Sequence, residues 1–273
     1  GGVPVIYTLS SDGLTLTASA GADTVFILSV TNLVTGAYSF QLLQPLDHPA
    51  PSTPGADEND LNFSFDYTIT DGNGTSAAGS LGLVVNDDSP DVSLAETLPV
   101  TTVEVDETEF GISASANFSG FFNIEFGADG AGSAGTSYAL QITETPSGLV
   151  DVATGLGIVL VLNGGQVEGR VESSDGDLAF TVSVDGDGYV TLTQSRALRH
   201  EVPTEPGDPG DPNDAVSLAT DAIQLVATAT DADGDSHSAT LDLGGRLVFL
   251  DDGSQVSLAE TLPVTTVEVD ETE

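Results

Sequence analysis

Apolar and polar residues alternate with a period of two along much of the chain. The runs VIYTLS, LTLTAS, YSFQLL and LNFSFDYTIT carry this pattern early, and FTVSVD, YVTLTQ and IQLVATATD carry it later. A period of two turns one face of a segment toward a core and the other toward water, so each run predicts a half-buried β-strand. Val, Ile, Thr, Phe and Tyr dominate the runs, and Gly, Asp, Asn or Pro bound them. No segment keeps a helical period with caps; SLAETL is short and is followed by Pro99. Many short strands at regular spacing predict an all-β chain built of antiparallel β-sandwiches.

The pattern is written twice. Val92 to Glu109 read VSLAETLPVTTVEVDETE, and Val256 to Glu273 repeat that string unchanged. Weaker matches precede each copy in the same order. TVFILSV (Thr24 to Val30) aligns with LAFTVSV (Leu178 to Val184), PLDH (Pro45 to His48) with ALRH (Ala197 to His200), TDGNGT (Thr70 to Thr75) with TDADGD (Thr230 to Asp235), and LVVNDDSP (Leu83 to Pro90) with LVFLDDGS (Leu247 to Ser254). The period is domain-sized, which predicts tandem modules. Module one covers 1–89 and is N-terminally incomplete; module two covers 90–254; 255–273 begins a further repeat. The Pro-, Gly- and Asp-rich segments Pro49 to Asp60 and Pro203 to Asp214 are predicted to be exposed loops within the modules.

Charge narrows the partners. Acidic residues number 43 against four arginines, for a net charge of −39. Such a surface repels phosphate backbones and anionic lipid, which argues against nucleic acid and against direct membrane insertion. No apolar run approaches the ~20 residues that span a bilayer. The like charges also repel one another, and either bound divalent cations or high external salt relieves that repulsion. Without cysteine, no disulfide staples the fold. The start GGVPVIYTLS has no signal-like character, and both ends read as cut from a longer polypeptide.

The acids gather at turns and module ends. Calcium takes six to eight oxygen ligands, and a turn with Asp or Asn at alternate positions converges such oxygens while glycine lets the backbone bend. TDADGD offers Asp231, Asp233 and Asp235; TDGNGT offers Asp71 and Asn73 but carries Thr75 at the third place, which predicts a weaker site. VDGDG adds Asp185 and Asp187, and SSDGD adds Asp175 and Asp177. None has the spacing of an EF-hand. The competing reading is that Asp-Gly turns are hairpin connectors that need no metal. A second group sits at module ends: Asp87 and Asp88 in NDDSP, Asp251 and Asp252 in LDDGS, with Asp106 and Glu107 in the VDETE that follows. Acids of one module end completed by acids of the next module would hold calcium at the joint; the competing reading is a solvated acidic hinge. His48 and His200 hold equivalent places, which favours a shared structural role, and His237 beside the Asp231 turn is expected at the surface. No nucleophile elbow, zinc spacing or phosphate loop is present, so no enzymatic activity is expected. The aromatic cluster Phe118, Phe121, Phe122 and Phe126 is expected in a core rather than as a sugar platform.

These residues resemble a known family, the tandem repeats of type-I-secreted RTX adhesins. Module one carries YSFQLLQPLDHP, ENDLNFSFDYTITDGNG and VVNDDSP; module two carries VDETEFG, TGLGIVLVLNGGQVEGRV, VTLTQSRALRH, AIQLVATATDADGDSHSA and LVFLDDG. NDDSP also resembles the calcium linker of cadherins. The resemblance implies elongated Ig- or cadherin-like sandwiches, calcium as the bound ion, export by a type I system, and display on a Gram-negative cell surface in biofilm formation. It implies a structural extender whose partners are the neighbouring repeats; the alternative is a calcium-dependent glycan- or peptide-binding module. A monomer is expected unless the 255–273 tail pairs with an open sheet edge of module one in another molecule.

Overall fold

The computed structural model describes residues 2–48, 60–200 and 214–252. Most of both Pro-rich segments, and the repeated tail, lie outside the described residues.

Module one contributes six strands: β1 (Val5–Leu9), β2 (Thr15–Ala20), β3 (Asp23–Asn32), β4 (Ala37–Leu42), β5 (Leu61–Thr70) and β6 (Ser76–Val85). The first four form an antiparallel sheet in sequence order, and β5 and β6 form a hairpin closed by the pair Thr70 and Ser76. Inward residues at alternate positions join the two layers. Phe26 is fully buried and meets Phe40 at 5.1 Å and Phe63 at 5.8 Å between ring centroids. Ala18, Val25, Leu46 and Val85 complete a small core.

Module two begins with β7 (Asp91–Leu94), β8 (Val103–Asp106), β9 (Ser113–Asn117), β10 (Phe122–Glu125), β11 (Ala131–Ile142), β12 (Pro146–Val150) and β13 (Gly157–Asn163). It continues with β14 (Gln166–Val171), β15 (Leu178–Val184), β16 (Tyr189–Gln194), β17 (Ala215–Ser217), β18 (Ile223–Asp231), β19 (Ser236–Asp242) and β20 (Leu247–Leu250). The largest sheet runs β12-β13-β14-β15-β16-β9; smaller sheets are β11-β18-β19, β17-β20-β8 and β10-β7. All pairs are antiparallel except β8 with β20. The only helical turns among the described residues are two 3-10 turns, Ser119–Phe121 and Gly244–Arg246. The chain is therefore all-β, of sandwich type.

The core of module two is much larger. Phe180 of the six-stranded sheet meets Phe249 of β20 at 5.1 Å, and both are fully buried. Gly169 makes this packing possible, because a Cβ there would collide with the Phe180 ring. Phe118, Phe121 and Phe122 are core residues and Phe126 packs against them, as expected from their sequence. Arg246 covers Phe121, with its guanidinium carbon 4.7 Å from the ring centroid.

The modules share a plan. The sheet β1 to β4 corresponds to β13 to β16, β5 to β17 with β18, and β6 to β19 with β20. In both, the Asp-rich turn lies at one pole and the DD sequence at the other, because the strand between them runs the length of the module. The ten residues of β6 span about 33 Å at ~3.3 Å per residue. This polarity positions the site: the Asp231 turn of module two faces the DD end of module one.

Candidate metal centre

Carboxylates from both modules converge at the joint. His48 and Asp87 of module one and Asp129 and Asp233 of module two each place a donor atom within 4.8 Å of the others. His48 Nδ1 lies 3.0 Å from Asp87 Oδ1 and 3.9 Å from Asp233 Oδ2. The first approach has ion-pair distance without the alignment of a hydrogen bond. The His48 backbone N–H donates to Asp233 Oδ2 at 3.4 Å. Beside it, Asp88 N–H donates to Asp87 Oδ1 at 2.9 Å, and Asp88 Oδ2 accepts from the Ala128 backbone N–H across the joint.

Asp233 belongs at once to a second group, with Asp231 and Asp235. Here the turn chemistry is local. Asp231 Oδ1 accepts from Gly234 N–H at 3.0 Å and Asp235 N–H at 2.8 Å, which folds the loop over its own carboxylate. Gly234 has φ of +112°, a conformation glycine adopts without strain. What surrounds the turn is not local. The β11 register shifts between Ala131 and Gly135, opposite Asp231, and a Cβ at Gly132 would collide with the Asp231 carbonyl oxygen. That close approach brings Asp129, on the loop leading into β11, against the Asp231 turn.

Burial makes the acids costly. Asp231 and Asp235 are 2% and 1% exposed, and Asp87 is 6% exposed. Asp129 Oδ2, Asp231 Oδ2 and Asp233 Oδ1 are buried oxygens without a hydrogen-bond donor. Burial first, and then the neighbouring Asp233 carboxyl group, pushes the Asp231 carboxyl up to about 6. Burial and the nearby charges of Asp233 and Asp87 also raise Asp129. Unpaired buried carboxylates are among the most expensive groups a fold can hold. A hard divalent cation satisfies them, because it brings the opposite charge and accepts irregular oxygen coordination. The donors fit such an ion: Asp87, Asp129 and Asp233 supply oxygens at the joint, Asp231 and Asp235 adjoin them through the shared Asp233, and His48 braces Asp87.

Other predicted positions are placed differently. Asp71 Oδ1 accepts from Asn73 N–H and Thr75 N–H at 2.9 and 2.8 Å, but Asp71 and Asn73 are solvent-exposed and join no cluster among the described residues. Asp185 closes a turn of the same kind, through Asp187 and Tyr189 N–H groups, and joins no acidic cluster among the described residues. Asp175 lines a shallow surface depression, and Asp177 pairs with Arg196 at 3.2 Å.

The VDETE acids do not meet the Asp87–Asp88 end. Parallel pairing of β8 with β20 carries them to the opposite pole of module two. There Asp106 is exposed and caps Thr108, whereas Glu107 is buried and groups with His200 and Asp251. Glu107 Oε1 accepts from Gln194 Nε2 at 2.8 Å and Leu198 N–H at 2.7 Å, and lies 3.3 Å from His200 Nε2. Asp252 is exposed. His237 lies at the surface, where its Nδ1 accepts from Val92 N–H at 2.9 Å.

Two contributors escaped the sequence reading. His48 carried a signal in its repetition at His200, and Asp129 carried one in its setting between Gly127 and Gly130, both at positive φ. A third buried acid is structural: Asp151, 1% exposed, is held at about 2 by the Arg196 guanidinium at 2.8 Å.

Fold and site define an all-β protein with two separate cores and buried carboxylates gathered between them. The model of a family described as a domain of unknown function (DUF5801) matches residues 102–244, more than half of the chain, and the chain belongs to that family. No curated protein and no solved structure matches it.

Proposed function

We propose that this chain is a calcium-stiffened extender segment of a bacterial surface adhesin, which projects a distal binding domain from the cell for attachment and biofilm formation. One observation carries the calcium part: Asp87 of module one converges at the joint with Asp129 and Asp233 of module two, and Asp129 Oδ2 and Asp233 Oδ1 are buried there without a hydrogen-bond donor. A cation bound there belongs to both modules and opposes their bending, since separating them would strip it of ligands. The role is mechanical, and the partners are neighbouring repeats of the same polypeptide.

The adhesin setting, type I export and Gram-negative surface rest on the resemblance of the repeat motifs. The −39 charge agrees with a setting where divalent cations are plentiful. The reading as a glycan or peptide binder gains no support from Phe118, Phe121 and Phe122, because these rings are buried in the core.

Thermal melting and small-angle scattering with calcium and with chelator test the proposal. Calcium is expected to raise Tm and to fix the module-to-module distance. Identical melting and scattering in both conditions would sink it.

A further inference from the structure

The two acid groups at the joint differ in one donor. Asp231, Asp233 and Asp235 offer oxygen alone, whereas the group that Asp233 shares with Asp87 and Asp129 contains the imidazole of His48. That imidazole is enclosed: the side chains of His48, Asp87 and Asp233 are 4%, 1% and 6% exposed. Its Nδ1 points into the group, 3.0 Å from Asp87 Oδ1 and 3.9 Å from Asp233 Oδ2, yet makes no hydrogen bond. Asp129 Oδ2 and Asp233 Oδ1 are buried there without a donor as well. A buried nitrogen that neither donates nor accepts is costly in the same way as an unpaired oxygen.

Distance and chemistry select the cation. Two donors at the zinc bond length of about 2.1 Å stand about 3.0 Å apart when they subtend a right angle. At the calcium bond length of about 2.4 Å the same pair stands about 3.4 Å apart. The His48–Asp87 edge, at 3.0 Å, has the smaller spacing. Imidazole nitrogen is a good ligand for zinc and its transition-metal neighbours and a poor one for calcium. The counterpart histidine follows the same pattern. His200 Nδ1 is buried without a hydrogen bond among the described residues, while its Nε2 lies 3.3 Å from Glu107 Oε1. A carboxylate against one ring nitrogen holds the proton there and leaves the lone pair on the other.

We propose that His48 Nδ1, Asp87, Asp129 and Asp233 form a mixed nitrogen–oxygen site for a divalent cation of the zinc class, beside an all-oxygen calcium site at Asp231, Asp233 and Asp235, with Asp233 bridging the two. Charge supports a second ion. Five carboxylates gather in the two groups, so one divalent cation leaves three negative charges and a second leaves one. Asp233 is suited to bridge, because Oδ2 lies toward His48, whose backbone N–H donates to it at 3.4 Å, while Oδ1 has no donor. The inference rests on reading the joint as a cation centre, and adds to it an ion of a different class.

Titration calorimetry of the calcium-saturated chain with zinc tests it. One equivalent of zinc is expected to bind and to raise Tm beyond its value in calcium alone. Two-bond 1H–15N spectra read the ligand atom in the unmutated chain: zinc should fix His48 as the neutral tautomer with its proton on Nε2. His48→Gln should weaken zinc by more than the roughly 10–100-fold that loss of an outer-shell partner costs, and should keep the calcium-induced shift in Tm. A His48 ring that stays protonated on both nitrogens in zinc overturns the proposal, since its contact with Asp87 is then a plain ion pair. Zinc binding of equal strength in His48→Gln overturns it as well, because the ion then sits elsewhere on an acidic surface. Calcium that shifts Tm while zinc leaves His48 untouched sinks this inference and spares the calcium reading; zinc on His48 with no effect of calcium does the reverse.

Discussion

The turns Asp71 to Thr75 and Asp231 to Asp235 occupy matching places in the two repeated segments and close in a similar way. In each, the first Asp accepts from N–H groups within the turn, and its own N–H donates to the carbonyl four residues on, at 2.9 and 3.1 Å. Yet Asp71 is exposed and Asp231 is 2% exposed. The difference comes from outside the turn. Over Asp231 lie the β11 bulge, the Asp129 loop and the DD end of module one; no such cover lies over Asp71 among the described residues. Local sequence builds an Asp turn, and only burial against other acids gives it a reason to hold an ion.

On the proposed reading, removing calcium probes the buried side of this contrast most strongly. An ion at about a hundred times its Kd stabilises the folded state by roughly 2.7 kcal/mol, which corresponds to a Tm change of about 5–10 °C for a domain of this size. Chelation should produce that drop in calorimetry. Mutation of the joint should reproduce it selectively. Asp233→Asn removes the carboxylate common to both clusters, so the calcium-induced shift should vanish. In chelator the same variant should melt higher than wild type by about 2–4 °C, the equivalent of roughly 1 kcal/mol of relieved repulsion. Equal melting of variant and wild type in chelator would argue that the acids are not in electrostatic conflict.

Acidity gives a smaller, signed effect. The folded-state value of Asp231, about 6, lies above the ordinary carboxylate value of 3.8. Between these values the folded state binds more protons than the unfolded state, so without cation this group's contribution to stability falls as pH rises from about 4 to 6. Calcium competes with that proton. Its stabilising shift should therefore be larger at pH 7 than at pH 5, a trend readable in paired melting curves; a pH-independent shift would separate the ion from Asp231.

The exposed turn supplies the smallest effects. Asp71→Asn keeps the accepting oxygen and should move stability by no more than about 0.5 kcal/mol, as surface substitutions usually do. Thr75→Asp restores the third acid that module two has. If burial decides, this variant still shows no second calcium event in titration calorimetry; a new tight site would show that three acids suffice.

Much of this was legible in the sequence because β patterning is local. The alternation in IQLVATATD appears as strict burial of every second residue in β18, and the Phe118 cluster lies in the core. The Asp231, Asp233 and Asp235 grouping was visible because five consecutive residues form one turn. The joint was only half visible. Asp87 was singled out by its DD ending, but its companions Asp129 and Asp233 come from segments distant in the chain, and the VDETE glutamate Glu107 groups with the other DD end, at Asp251. The parallel pairing of β8 with β20 carries Glu107 to the far pole, and no spacing rule shows that.

By itself, then, the sequence determined an acidic, cysteine-free, all-β chain with repeated modules and Asp-rich turns, since each of these properties follows from composition or from neighbours within a few residues. Tertiary structure alone decided which acids lose their water and which histidine nitrogen meets a glutamate. Those outcomes depend on segments far apart in the chain arriving at one place, and the desolvation that results is a property of the place rather than of any residue in it.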